Sequence, residues 1–274
     1  MPAGQRGAQV IESALAEAHM TVLGRVPGAS NAVFLCLLEG DFGTGPTVRR
    51  GIYKPVRGER PLHDFPAGTL ARREVAAYRL AHHLGIDEVP PTVFLDDGPL
   101  GPGSLQAYVL SDGDDEPPVT ICLPSELPDG WLPAAAGETE TGEQVVIAHS
   151  PDEQILRLAV FDIVANNADR KGSHILSGAW DPHAETQFFG IDNGLTFHTE
   201  PKLRTVLWGF SEMHLPGSLR QALDSIAGAV PPELTELLTP DESRALALRA
   251  GHLAEHGTMP SMPQDRIPIP WPPV

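Results

Sequence analysis

Only two cysteines occur in 274 residues, Cys36 and Cys122, far apart and in apolar or Pro-flanked settings. Disulfide and zinc frameworks need more thiols at closer spacing, so neither is expected, and a reducing cytoplasm is the expected compartment. Long apolar runs are missing too. No stretch approaches the roughly 20 apolar residues of a membrane helix, and residues 1–7 lack the apolar core of a secretory signal. Positive charge is scarce: 19 Lys and Arg stand against 36 Asp and Glu, a net charge of −17. A bulk charge of that sign repels nucleic acid and anionic lipid surfaces, so neither is an expected partner and no stable membrane anchor is expected. Apolar residues make up 41% of the chain, enough for a packed core, and the length suits one two-lobed domain or two small ones.

The few cations are not spread evenly. Eight of them (Arg49, Arg50, Lys54, Arg57, Arg60, Arg72, Arg73 and Arg79) fall between residues 49 and 79, against three acids. From Leu80 to Leu156 there is no Lys or Arg, against 15 Asp and Glu. The basic block is the one place where phosphate groups are welcome. Around it the pattern predicts a helix over 8–19, strands over 20–26, 32–39 and 48–54, a helix over 70–84 stopped by Gly85, and strands over 90–95 and 104–110. Residues 112–150 are acidic and rich in Pro and Gly, and read as a poorly packed insertion with one short strand near 145–148. Ser150 and Pro151 then predict a helix start, running to about Val164. Helices follow over 217–227, 232–238 and 240–256, the last capped by Thr239, and the Pro-rich tail 259–274 is expected to dock through Ile267, Ile269 and Trp271.

The chemistry gathers in two loops. An apolar run from Leu156 to Val164 feeds Asn166-Asn167-Ala168-Asp169-Arg170-Lys171, and a short strand pair ends on Asp192-Asn193-Gly194. Two carboxylates at the open end of one hairpin fit phosphoryl transfer, one handling the proton of the attacking hydroxyl and one holding a metal that neutralises phosphates. Asp-Asn-Gly is equally a hairpin turn signal. Gly28-Ala29-Ser30-Asn31, small residues between two strands, allow a backbone cradle for phosphate or a plain turn. Lys54 ends a strand with its side chain on the face opposite Tyr53, and Glu74 lies 20 residues later, early in the next helix, where the two can pair.

Taken in order, Gly28–Asn31, Lys54 in IYKP, Glu74 in REVAAYRLAHHLG, VPPTVF, GSLQAYV, NNADRKGSHIL and GIDNGLTF resemble the phosphoinositide 3-/4-kinase-related group, nearest to type II phosphatidylinositol 4-kinases and a small bacterial branch of that group. The resemblance spans roughly residues 20–215. It implies an α+β, two-lobed, protein-kinase-like fold with a small antiparallel-sheet N-lobe (1–111), the insertion (112–150), a mainly helical C-lobe (151–258) and the tail. It further implies that Lys54 holds the α/β-phosphates of ATP and Glu74 positions it, that Gly28, Ala29, Ser30 and Asn31 cover the phosphates, and that Gln106, Tyr108 and Leu110 line the adenine. Asp169 would orient the acceptor hydroxyl with Arg170 beside it, and Asp192 would bind Mg²⁺ or Mn²⁺.

Two departures from the pattern stand out. Where the group carries a metal-binding Asn five residues after the catalytic Asp, this chain has His174, a poor Mg²⁺ ligand and a better Mn²⁺ ligand. Mn²⁺ preference, a single metal and impaired activity are all consistent with that, as is a histidine that only bonds Asp192. The Cys-rich segment that anchors the type II lipid kinases is also missing. The expected activity is therefore transfer of the ATP γ-phosphate to a hydroxyl on a protein or small molecule in preference to a lipid, and the alternative is a nucleotide-binding pseudokinase with a regulatory role.

Overall fold

The structure, a computed structural model, describes residues 3–43, 45–111, 116–181 and 184–274. Residue 44 of the Gly-rich turn and the acidic start of the insertion, 112–115, lie outside the described residues, as do residues 1–2 of the stretch read for a signal.

Strands β1 (His19–Arg25), β2 (Phe34–Asp41), β3 (Pro46–Pro55), β4 (Thr92–Leu95) and β5 (Gly103–Ala107) form one antiparallel sheet in the order β1-β2-β3-β5-β4. Alternation along β3 decides what each face does. Tyr53 points into a small core with Leu15 of helix α1 (Ala3–Glu17), Cys36, Leu38, Val93 and Leu105. Its hydroxyl donates to the Gly101 carbonyl. Burial pushes the Cys36 thiol up to about 11, so it behaves there as a small apolar side chain. Ile52 and Lys54 face the opposite way, as the sequence predicts.

Helix α2 (Leu70–Leu84) runs over the predicted residues, and Gly85 closes it at φ 68° with its N–H on the Ala81 and His82 carbonyls. A left-handed residue there strains any side chain, which is why glycine ends the helix. Helix α3 (Glu153–Ala165) is hydrophobic nearly all round and buried accordingly. Its cap is Asp152, whose Oδ1 accepts from Gln154 N at 2.7 Å, two residues on from the expected Ser150. Helices α4 (Gly217–Gly228), α5 (Pro232–Thr235) and α6 (Pro240–His256) complete the larger core around Leu158, Phe161, Phe210, Leu223 and Leu246. At α6, Thr239 and Glu242 form a reciprocal capping box.

The insertion corrects an expectation. It is built as a second antiparallel sheet of β6 (Val119–Cys122), β7 (Leu132–Glu138) and β8 (Gln144–His149), in the order β6-β8-β7. Of its strands only β8 was expected, near 145–148; β7 reads as loop because it is Leu-Pro-Ala-Ala-Ala-Gly-Glu, low in β-branched residues. Docking supplies what propensity lacks. His149 is fully buried against the Phe210 ring at 4.5 Å and accepts from Gly209 N through Nε2 at 3.1 Å.

The tail also departs from expectation. Ile269 packs on the large core, while Ile267 and Trp271 are 71% and 88% exposed. Hydrogen bonds to tail carbonyls supplement Ile269: the Pro268 carbonyl accepts from Thr205 N (3.0 Å) and Trp208 Nε1 (2.9 Å), and the Pro273 carbonyl accepts from Gly172 N (2.8 Å).

Candidate active site

Strands β9 (Ile175–Gly178) and β10 (Gln187–Gly190) form the expected hairpin, and the two acidic loops meet at its open end. Asp169 and Asp192 line one cavity of about 390 Å³ together with Ala29, Ser30, Asn31, Lys54, Glu59, Arg60 and Glu74. Lys54 and Asp192 also border a more apolar neighbour of about 640 Å³, walled by Leu23, Val33, Ile52, Gln106, Tyr108, Leu176 and Ile191. One cleft thus has a polar and an apolar compartment, with Lys54 and Asp192 at the join.

Lys54 Nζ bonds Glu74 Oε1 and lies 2.7 Å from Asp192 Oδ1. Burial alone would lower the Lys54 ammonium, but the Asp192 and Glu74 carboxylates override it and hold the pKa above its ordinary value. The Lys54 ammonium in turn holds the Asp192 carboxyl well below the usual carboxylate range, against the opposing effect of burial. Asp192 keeps 54% of its side chain exposed and adopts φ 56°, a left-handed conformation held by its neighbours. Glu74 is buried, and its second oxygen accepts from Asn193 N at 3.0 Å.

His174 links the two acidic loops. Its Nδ1 lies 2.8 Å from the Asp169 carbonyl, which can only accept, so Nδ1 carries the proton. Burial lowers the imidazole pKa despite the nearby Asp192, which favours the neutral ring. Nε2 then turns a lone pair toward Asp192 Oδ2, 3.6 Å away. Two electron-rich atoms face each other with no proton between them. Asp192 and His174 are therefore the residues that would hold a divalent cation, one through a carboxylate and one through an imidazole.

Arg170 does not stand beside the reacting groups. Its side chain is fully buried beneath the cleft, and four neighbouring residues use up its donors. Nε bonds both oxygens of Asp162 (3.1 Å each), Nη1 bonds the Ile191 (2.9 Å) and His174 (3.4 Å) carbonyls, and Nη2 bonds Asn193 Oδ1 (2.7 Å). It is a positioning residue that ties the Asp169 loop to the Asp192 loop. Leu110 is the second correction. Beyond β5 the chain leaves the sheet, and Leu110 pairs its backbone with Ala179 in both directions, its side chain 41% exposed and outside the cleft lining. Tyr108 and Val109 line the apolar compartment in its place, and Gln106 lines it while donating to Thr92 Oγ1 at 3.0 Å. Of the phosphate turn, Ala29, Ser30 and Asn31 line the polar compartment, and Gly28 supplies the left-handed corner at φ 77°.

The residue missed in the sequence is Asp162. It is fully buried in α3 and also accepts from Asn167 Nδ2 (2.9 Å) and Thr205 Oγ1 (3.2 Å). A lone carboxylate inside the apolar run from Leu156 to Val164 was the available signal, because an unpaired charge is not tolerated there.

Across 270 residues the chain is 42% identical to Protein Rv2133c of Mycobacterium tuberculosis, covering 94% of this chain and 93% of that protein. It belongs to that protein's family. No known protein-family profile matches the chain. Among solved structures, hydra Fam20 with sugar superimposes with a TM-score of 0.51 at 16% identity, covering 93% of this chain and 89% of that one. The Helicobacter pylori proinflammatory kinase CtkA gives 0.41 at 9% identity, over 89% and 94% of the two chains. The chain thus has a mixed α/β fold similar to that of hydra Fam20, with an antiparallel sheet and helices. Among the described residues, no helix is long and apolar enough to cross a membrane.

Proposed function

We propose that the protein is an ATP- and metal-dependent kinase of the phosphoinositide 3-/4-kinase-like type, transferring the γ-phosphate to a hydroxyl. The observation that carries this is the convergence on one cleft of a strand lysine, a helix glutamate and two loop aspartates: Lys54, Glu74, Asp169 and Asp192. Residues 1–111 serve as the N-lobe, 151–258 as the C-lobe, and the apolar compartment takes the adenine against Ile52, Gln106 and Tyr108. Residues 112–150 form the insertion, and 259–274 the tail.

Each residue has a physical task. Glu74 holds Lys54 across strand and helix, so that its ammonium reaches the α/β-phosphates from a fixed point. The amides of Ala29–Asn31 lie over the phosphates. Asp192 and His174 would hold a Mg²⁺ or Mn²⁺ ion, which would supply charge neutralisation of the phosphates. Asp169 accepts the proton of the attacking hydroxyl. Its side chain is 26% exposed, lines the polar compartment and lies 3.2 Å from Lys171 Nζ.

Calorimetric titration of ATP with each metal tests this, on the parent protein and on Asp169→Ala and Asp192→Asn. Metal-dependent binding, lost in Asp192→Asn and kept in Asp169→Ala, is the expected result, with phosphate transfer abolished in both. Transfer surviving Asp169→Ala overturns the assignment. Tight ATP binding with no transfer to any acceptor replaces it by the pseudokinase reading.

A further inference from the structure

We infer that the acceptor is a small polyhydroxylated anion, such as a sugar phosphate or sugar acid, bound in the polar compartment with its anionic group on Arg60. This rests on the kinase reading above and names the substrate class of that site.

The connection between β3 and α2, residues 56–69, walls the compartment. At one end it packs on the phosphate turn: Arg60 N donates to Asn31 Oδ1 (2.8 Å), and Ala32 N donates to the Gly58 carbonyl (3.0 Å). A side chain at Gly58 would collide with Ala32, so that contact is close. At the other end it is locked to the segment after Asp192. Phe65 packs with Leu70, Ala168 and Leu195, and the Asp64 carbonyl accepts from His198 Nε2 (3.0 Å) while its carboxylate pairs with Lys202 (3.2 Å). Ala168 directly precedes Asp169, so the wall stands beside the reacting carboxylate.

An extended peptide or a membrane surface needs an open approach to the reacting group. A compartment of about 390 Å³ that must also admit the end of a triphosphate leaves room for a small molecule. The lining has only two cations. Lys54 is engaged by Glu74 and Asp192. Arg60 is exposed and has no acidic partner among the described residues, so its guanidinium is available for bidentate binding of a phosphate or carboxylate. Beside it, Glu59 accepts from Ala71 N through Oε1 (3.0 Å), and its Oε2 has no partner among the described residues. A ligand hydroxyl satisfies such an oxygen. In the reaction, the acceptor oxygen attacks the γ-phosphorus, the bond to the β–γ bridging oxygen breaks with its electron pair leaving on ADP, and the hydroxyl proton passes to Asp169.

The test measures ADP release and product mass with a hexose, its phosphate, its uronic acid, a serine peptide and phosphoinositide vesicles as acceptors. Turnover of the sugar phosphate or the uronic acid, with a KM roughly 10-fold or more below that of the neutral hexose, is expected. Whichever of the two prevails identifies the anion. Arg60→Ala should raise that KM roughly 10-fold, far more than it raises KM for ATP, and Arg60→Lys should recover part of it. Phosphate passing only to the peptide or the vesicles overturns the inference and leaves the kinase reading standing. So does an Arg60→Ala variant whose KM rises for ATP instead. Absence of ATP binding overturns both.

Discussion

Two ionic networks meet at the Asp192 loop, and they are built differently. Asp162, Arg170 and Asn193 are fully buried, and every donor of the Arg170 guanidinium has a partner. Lys54, Glu74 and Asp192 form the other, and there the aspartate is half open to the cleft and both Lys54 and Asp192 have strongly displaced pKa values. The first network fixes where the loops stand. The second holds charge at the edge of solvent, where a phosphate or a cation can exchange with a protein partner. Displaced ionisation in a cleft marks a place for chemistry, whereas a closed buried pair marks a place for geometry.

The largest effect should come from breaking the closed network. Arg170→Ala leaves the Asp162 carboxylate buried without its cation and is expected to lower stability by about 3–5 kcal/mol, read as the denaturant midpoint at constant slope. A loss below about 1 kcal/mol would mean that water reaches Asp162 and that the two networks do not differ as described. Asp192→Asn should divide the other way, with stability changed by less than about 1 kcal/mol and phosphate transfer reduced more than about 100-fold, as expected for removing a charge aimed at the reacting group.

A pH experiment separates geometry from chemistry among the histidines. Burial holds His149 below its ordinary pKa of 6.5, and its Nε2 must stay unprotonated to accept from Gly209. The folded state therefore binds this proton less readily than the unfolded chain, so its contribution is complete above pH 6.5 and is lost as pH falls below it. Buried Glu88, pushed up to about 7, works in the opposite sense: its raised carboxyl favours the folded state as pH falls through 7. The informative quantity is accordingly the stability of the parent minus that of His149→Gln, which should decline from pH 7 to pH 5; a flat difference would remove the role given to His149. The smallest effect belongs to the exposed pair Arg244–Asp241 at 2.7 Å on α6. Arg244→Ala should change stability by less than about 0.5 kcal/mol in the same denaturant measurement, because water already screens that pair.

Wherever one local rule was sufficient, the sequence was legible. The 3.6-residue spacing and Gly85 delimit α2, the Thr239–Glu242 pattern starts α6, and two-residue alternation puts Lys54 opposite Tyr53. The insertion was legible only at β8, since β7 has weak propensity and the sheet is seated by Leu132 and His149 packed on the helical side. Arg170 misled for a related reason. Its place next to Asp169 in the chain says nothing about the direction of its side chain, which the buried carboxylate on α3 decides.

By itself the sequence determined the periodic elements, the position of the two acidic loops at the ends of one hairpin, and the order Lys54, Glu74, Asp169, Asp192. These depend on contacts a few residues apart, and local geometry repeats. Only the tertiary structure decided that Arg170 faces inward, that Leu110 leaves the cleft to Tyr108 and Val109, and that residues 56–69 close the space beside Asp169. Each of those follows from partners more than 20 residues away or from the burial of a charge, and neither spacing nor propensity along the chain encodes them.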